Sequence, residues 1–366
     1  MELKNNLSRI INASGKMTVL GGSVLSERAA QALKEGSQTF YLMEELLKES
    51  SQFLAKRIGV EAAHIVSSAS SGIAQSVGAA IAQDNRQFIM NVYSDKIIKN
   101  EIVIAKGHIV NYGTSIEVPI RMGGGKIVEA GYANECSIDD YAQMINKNTA
   151  AILYVVSHHA VQKSMASVND VIELAHHHQI PIIIDAAAEG NLKMYAHKGA
   201  DAVIYSGTKA IEGPTSGLIV GKKDFIEFIR LQGLGIGRVM KVGKEALFSL
   251  TNAIDEYLDK EPESIESQKN RLQTFNQYFE GSEYVACKIV QDGAGRPIFR
   301  SELTFTPAAL ARSIVTQMQT GNNKIYTRDY RQNEGIIEID IRDVNDDELK
   351  EIYKRIDKEI QECIKV

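Results

Sequence analysis

The sequence predicts an α/β protein: a large domain on a mostly parallel sheet flanked by helices, then a smaller α+β domain at the C-terminal end. Two features of the chain predict this. Through its middle, apolar runs of strand length alternate with amphipathic helical stretches, the pattern of crossover units covering both faces of a parallel sheet. Beyond about residue 221 that alternation stops, and helices give way to short strands interleaved with helices. With 366 residues the chain is long enough for two such domains and their cores. We divide it into an N-terminal segment (1–40) packing on both domains or on a partner subunit, a large domain (41–260) and a small domain (261–366).

The elements follow in order. A small-residue helix is expected at 73–82, behind the serine-rich run Ser67-Ser68-Ala69-Ser70-Ser71-Gly72. Apolar runs predict strands at 101–105, 126–130, 150–156, 180–185, 201–205 and 217–220. Between them, a helix over 137–145 is opened by Ser137 as N-cap with Asp140 three residues on. Another spans 168–178, with apolar residues at 168, 171, 172 and 175. Helices at 222–231 and 244–258 flank a glycine-rich loop, and 262–279 reads as a long polar helix. The small domain follows, with strands at 283–290, 298–305, 324–327 and 335–341 and helices at 307–318 and 346–363.

Composition narrows the partners. A net charge of -5 offers no electrostatic footprint for nucleic acid. Cys136, Cys287 and Cys363 are scattered, with neither metal-ligand spacing nor a disulfide framework, which fits a reducing cytosol. No metal site is expected. No apolar stretch is long enough to span a bilayer, and the N-terminus has no apolar signal core. We therefore expect a cytoplasmic protein with a small-molecule substrate, no nucleic acid and no membrane.

The chemistry is carried by a pair. Asp185 ends the apolar run Pro181-Ile182-Ile183-Ile184, and Lys209 follows the next run within Ser206-Gly207-Thr208-Lys209. In an open α/β sheet, ligands bind beyond the carboxyl ends of strands, where both residues fall. Alone, Asp185 reads as a cap on 186–188 and Lys209 as a snorkelling or salt-bridged lysine. Ser-x-x-Lys also occurs in serine acyltransferases, but the companion motifs are missing. Together they match pyridoxal 5'-phosphate (PLP), whose aldehyde condenses with a lysine and whose pyridine nitrogen is kept protonated by a carboxylate. Hydroxyls and free N–H groups at the start of the 73–82 helix would hold the phosphate, joined by Ser206 and Thr208.

Other residues face the same crevice. His108 follows the 101–105 strand and would stack on the cofactor ring; His158 and His159 follow the 150–156 strand. His176, His177 and His178 crowd a helix end and read as surface. Gly233-Leu234-Gly235-Ile236-Gly237-Arg238 follows a helix, not a strand, and so fails as a dinucleotide loop. Arg238, Lys241 and Lys244 form a basic cluster, either a solvated face or a site for an anionic substrate group. Arg342 is either a clamp on a substrate carboxylate or half of a structural ion pair.

From about residue 11 to 257 the chain resembles fold-type I PLP enzymes of the selenocysteine synthase-related group. The resemblance rests on Asn12-Ala13-Ser14-Gly15, Leu20-Gly21-Gly22-Ser23, the 68–72 run, Asp185, Ser206-Gly207-Thr208-Lys209 and Gly213-Pro214-Thr215-Ser216-Gly217, in that order. It implies the PLP-dependent transferase-like fold with a seven-stranded sheet. It makes Lys209 the Schiff-base lysine and Asp185 the ring partner. Ser70, Ser71, Gly72 and Ser206 would hold the phosphate, and His108 or a neighbour would cover the ring. It also implies a homodimer or larger assembly in which Thr215 reaches the other subunit's cofactor phosphate.

Against selenocysteine synthase itself, Thr208 replaces an aspartate, His158 stands where asparagine is expected, and the chain begins almost at the residue-11 motif. No room is then expected for an N-terminal tRNA-binding domain. The resemblance favours an ammonia-lyase acting on a 2-amino-2-deoxy sugar acid phosphate. His108 or His158 would serve as acid, Arg238, Lys241 and Lys244 would bind the substrate phosphate, and Arg342 its carboxylate. The alternatives are another PLP lyase, an aldolase or transaminase on amino acids, a selenium transferase on charged tRNA, or a non-catalytic PLP-binding sensor.

Overall fold

The computed structural model describes residues 7–293 and 295–364. The chain forms two compact units, Gly21–Lys260 and a second that joins residues up to Leu20 to the chain from Glu261 onward. The sequence-based N-terminal segment is therefore divided at Leu20. Upstream of that point, β1 (Arg9–Ala13) pairs in parallel with a strand of the C-terminal unit. Downstream, the Glu27–Gln38 helix packs on the Lys244–Asp259 helix within the large unit, where Ser249 Oγ donates to Ala29 O at 2.9 Å.

The large unit holds a seven-stranded sheet in the order β2-β8-β7-β6-β5-β3-β4. Its strands are β2 (Ala62–Val66), β3 (Glu101–Ala105), β4 (Lys126–Ala130), β5 (Thr149–Val155), β6 (Ile182–Asp185), β7 (Ala202–Ser206) and β8 (Gly217–Gly221). β8 runs antiparallel to both neighbours, and the other pairings are parallel. Successive residues of β5 enter different apolar clusters, Ile152 and Tyr154 on one face and Leu153 and Val155 on the other. Burial on both faces is why β5 reads as a continuous apolar run rather than an alternating one. β2 escapes such a reading because Ala62, Ala63 and His64 are poor strand formers; pairing with β8, Ala62↔Gly221 through Val66↔Gly217, supplies what propensity does not.

Helices follow their local signals. Ser137 caps Ile138–Met144 with Asp140 completing a capping box. The small-residue helix starts at Ala69, earlier than its apolar pattern suggests, because Ser68 caps it. Residues 186–188 form a turn instead of a helix.

The second unit carries β9 (Val285–Gln291), β10 (Phe299–Phe305), β11 (Asn323–Thr327) and β12 (Ile336–Asp340). β9, β10 and β12 form an antiparallel sheet, and its core includes Ile11 and Ala13 from β1. No helix of the described residues is long and apolar enough to cross a membrane.

Candidate active site

The register of the large sheet brings the site together. Val155 aligns with Asp185, and Asp185 with Ile204, so β5, β6 and β7 end on one edge. β2 is antiparallel to β8, which is antiparallel to β7, so Val66 ends on that edge and Gly217 starts there. Ser67–Ser71, Asp185, the Ser206–Lys209 turn and the segment before β8 therefore share the carboxyl edge. A Cβ on Gly217 would sit 2.7 Å from Ser68 C, which records how closely the serine turn lies over β8.

The serine turn has a division of labour. Ser68 Oγ accepts the Ser71 N–H at 3.0 Å; Ser71 Oγ accepts the Ser68 N–H at 2.9 Å and donates to Ser68 O at 2.8 Å. The Gly72 N–H already reaches Ser68 O at 3.0 Å. Ser71 and Gly72, expected to hold the phosphate directly, instead build the cap and seat the helix on the sheet. The N–H groups of Ala69 and Ser70 are the outward donors of the first turn, with the Ser70 hydroxyl beside them.

Asp185 is buried, and its Oδ1 accepts the Ala187 N–H at 3.1 Å, which shapes the turn after β6. Loss of hydration pushes its carboxyl above the usual carboxylate range, against the opposing pull of the nearby Lys209 charge and the Ala187 N–H. Ser206 Oγ and Thr208 Oγ1 lie 3.2 Å apart in the lysine turn. Gly22, at φ 85°, lies over Thr208; a Cβ there would come within 2.6 Å of the Thr208 Cβ. The Leu20–Ser23 motif thus fixes the lysine turn by close backbone approach.

The histidines part company. His108 is 0% exposed, its Nδ1 receives the Val155 N–H at 3.4 Å, and its ring meets Tyr154 edge-on at 4.6 Å. Burial lowers its pKa to about 4. A wholly enclosed imidazole presents no face to a ring and no proton to a substrate, so its expected covering and acid roles do not fit. His158 is half-buried beyond the end of β5, its ring 3.9 Å from that of His159.

The basic cluster also divides. Lys244 Nζ donates to Gly36 O at 2.6 Å and Ser37 O at 2.8 Å, closing the end of the Glu27–Gln38 helix. That work replaces its expected role in substrate binding. Arg238 and Lys241 remain exposed, on a segment joined to the serine turn where Ser67 Oγ donates to Met240 O at 2.9 Å. Thr215 is exposed ahead of β8. In the second unit, Arg342 grips Asp340 with Nε at 2.9 Å and Nη2 at 2.8 Å, and the buried Arg300 shares that carboxylate at 2.9 Å. The ion-pair reading of Arg342 is realised, with its Nη1 edge unpaired among the described residues.

One residue in contact with the serine turn escapes sequence reasoning. Tyr112 occupies the turn bridged by Asn111 and Ser115 after β3, and its hydroxyl lies 2.9 Å from Ser70 Oγ. Its signal was a single aromatic within Asn111-Tyr112-Gly113-Thr114-Ser115, a polar turn beyond a strand end. Among the described residues no group of His, Cys, Asp or Glu is arranged to hold a metal ion.

These residues fit PLP: outward N–H donors at a helix start for the phosphate, a desolvated carboxylate for a protonated ring nitrogen, and Lys209 in electrostatic reach of that carboxylate. The comparisons agree. The chain is 37% identical over 359 residues to the D-glucosaminate-6-phosphate ammonia lyase of Salmonella typhimurium, covering 97% of this chain and 96% of the relative. It is 34% identical to a 5'-C-glycyluridine monooxygenase-decarboxylase of a Streptomyces species, covering 95% and 89%. A solved D-glucosaminate-6-phosphate ammonia-lyase superposes with a TM-score of 0.90 at 35% identity, over 98% and 97% of the two chains. The fold is that of the fold-type I PLP enzymes. Residues 10–281 match the family model for L-seryl-tRNA selenium transferase, and the chain belongs to that SelA family.

Proposed function

We propose that this chain is a PLP-dependent ammonia-lyase that converts D-glucosaminate 6-phosphate to 2-keto-3-deoxygluconate 6-phosphate and ammonia. The observation that carries the reading is 37% identity along 97% of the chain to a lyase of that name, joined to the Asp185–Lys209 pair at one sheet edge. Bound PLP supplies an electron sink for the charge that develops when a proton leaves the carbon bearing the amine. Lys209 takes that proton, and Asp185 holds a proton on the ring nitrogen. Ala69 N–H and Ser70, with Ser206 and Thr208, hold the cofactor phosphate. His158 gives a proton to the departing C3 hydroxyl, and water leaves. Water is regained when nitrogen departs as ammonia, so the balance is substrate to keto acid plus ammonia.

Arg238 and Lys241 take the substrate phosphate, and Arg342 takes its carboxylate through the Nη1 edge. Exposed Phe40 (97%), Val24 (86%) and Leu42 (76%) support a homodimer in which Thr215 reaches a partner's site. The free cysteines fit the cytoplasm.

The test is ammonia release from D-glucosaminate 6-phosphate, with oxygen followed in parallel. Ammonia without oxygen uptake or a keto-acid acceptor supports a lyase; oxygen uptake with loss of CO2 would point to decarboxylating oxygenase chemistry. Lys209→Ala should abolish turnover and the visible absorbance of the lysine-bound cofactor together. Turnover that survives this substitution overturns the assignment.

A further inference from the structure

We infer that Tyr112 is a positioning residue for the cofactor phosphate: its hydroxyl donates to Ser70 Oγ and so turns the Ser70 proton outward, toward the phosphate. The inference deepens the PLP reading above and rests on it.

The geometry begins with Ser70, second residue of the helix capped by Ser68. Its neighbour Ser71 is spent on the cap, so Ser70 is the one hydroxyl of the first turn aimed away from the turn's own hydrogen bonds. A serine hydroxyl has one proton and rotates freely unless an outside donor takes its lone pair. Tyr112 OH, 2.9 Å away, is that partner, and the contact alone leaves the direction of donation open.

Direction follows from surroundings. Tyr112 is half-buried among the apolar side chains of its face of the sheet, and burial raises its pKa. The negative charge of Asp185 raises it further, while the Ser70 contact lowers it. Tyr112 therefore keeps its proton, and because a phenol O–H is a stronger donor and a weaker acceptor than an aliphatic hydroxyl, the tyrosine donates and Ser70 Oγ accepts. Ser70 then offers its own proton beside the N–H groups of Ala69 and Ser70, making three donors for one anionic group. The turn bridged by Asn111 and Ser115, with Asn111 Oδ1 accepting the Gly113 N–H at 2.9 Å, fixes where the tyrosine stands.

The test is a double-mutant cycle on PLP affinity, read by titrating purified apoprotein and following the visible absorbance of the bound cofactor. Tyr112→Phe and Ser70→Ala should each weaken the Kd about tenfold, or about 1.4 kcal/mol. The double variant should be no weaker than either single variant, because both break the same donor. The phosphorus NMR line of bound PLP should move in Tyr112→Phe, with apoprotein melting unchanged. Independent losses that multiply to about a hundredfold, or an unchanged Kd and phosphorus line in Tyr112→Phe, overturn the inference. Wild-type protein that takes up no PLP would fail the cofactor reading itself. Tight PLP binding without ammonia release would remove only the substrate.

Discussion

At the scale of single residues, the site is organised around a carboxylate that the apoprotein would be better without. Burial pushes Asp185 above the usual carboxylate range, so its ionised form is disfavoured in the fold relative to the unfolded chain. The sign follows: a raised acid destabilises the folded state at every pH above its unfolded value near 3.8. Asp185→Asn should therefore make the apoprotein more stable, by about 1 kcal/mol, while cutting turnover by about a hundredfold or more. Parallel melts of the two apoproteins and steady-state ammonia assays check this; a less stable Asn variant would refute the electrostatic account. Asp185 and Lys209 were legible in the sequence because each is a polar residue ending or following a run that must be a buried strand. His108 looked equally well placed, yet it packs beneath the edge on Tyr154. Whether a residue past a strand end points up or down depends on turn geometry, which no periodicity reports.

At the scale of elements, the serine turn and the basic cluster show how sequence motifs overstate their membership. Four hydroxyls in 67–71 look interchangeable, but the reciprocal cap between Ser68 and Ser71 consumes two of them. Arg238, Lys241 and Lys244 look like one anion site, but Lys244 fills the orphan carbonyls at the end of the Glu27–Gln38 helix. These assignments separate by measurement. Lys244→Met should cost about 1 kcal/mol of stability, the scale of a lost charge-assisted cap, and leave KM near the wild-type value. Lys241→Ala should instead raise KM for the phosphorylated substrate with stability held; a raised KM in Lys244→Met would restore the three-residue cluster. The strands that failed to announce themselves, β1 and β2, are short and pair across long sequence separations, with β11 and β8. Only tertiary pairing makes them strands.

At the scale of the molecule, acid should act on the two units in different ranges. The large unit buries His64 and His108, and loss of hydration brings each to about 4 from an ordinary 6.5. Between those values the unfolded chain binds protons that the fold refuses. Stability is complete above 6.5 and is lost as pH falls toward 4, by about 3 kcal/mol for each histidine. In the second unit the carboxyls of Asp292 and Asp340 are held well below the usual range by Arg296, Arg300 and Arg342. A depressed acid contributes stability that persists above its unfolded value of 3.8 and fades only below it. The large unit should therefore loosen first on acidification, with the β9–β12 unit still protected near pH 4. Hydrogen-exchange labelling, with samples equilibrated from pH 8 to pH 3 and pulsed at one common pH, resolves the two by peptide. His64→Leu should remove about half of the loss seen in the large unit between 6.5 and 4. An unchanged slope in that variant, or simultaneous exposure of both units, would refute separate acid ranges, and with them the view that the two cores carry opposite electrostatic designs.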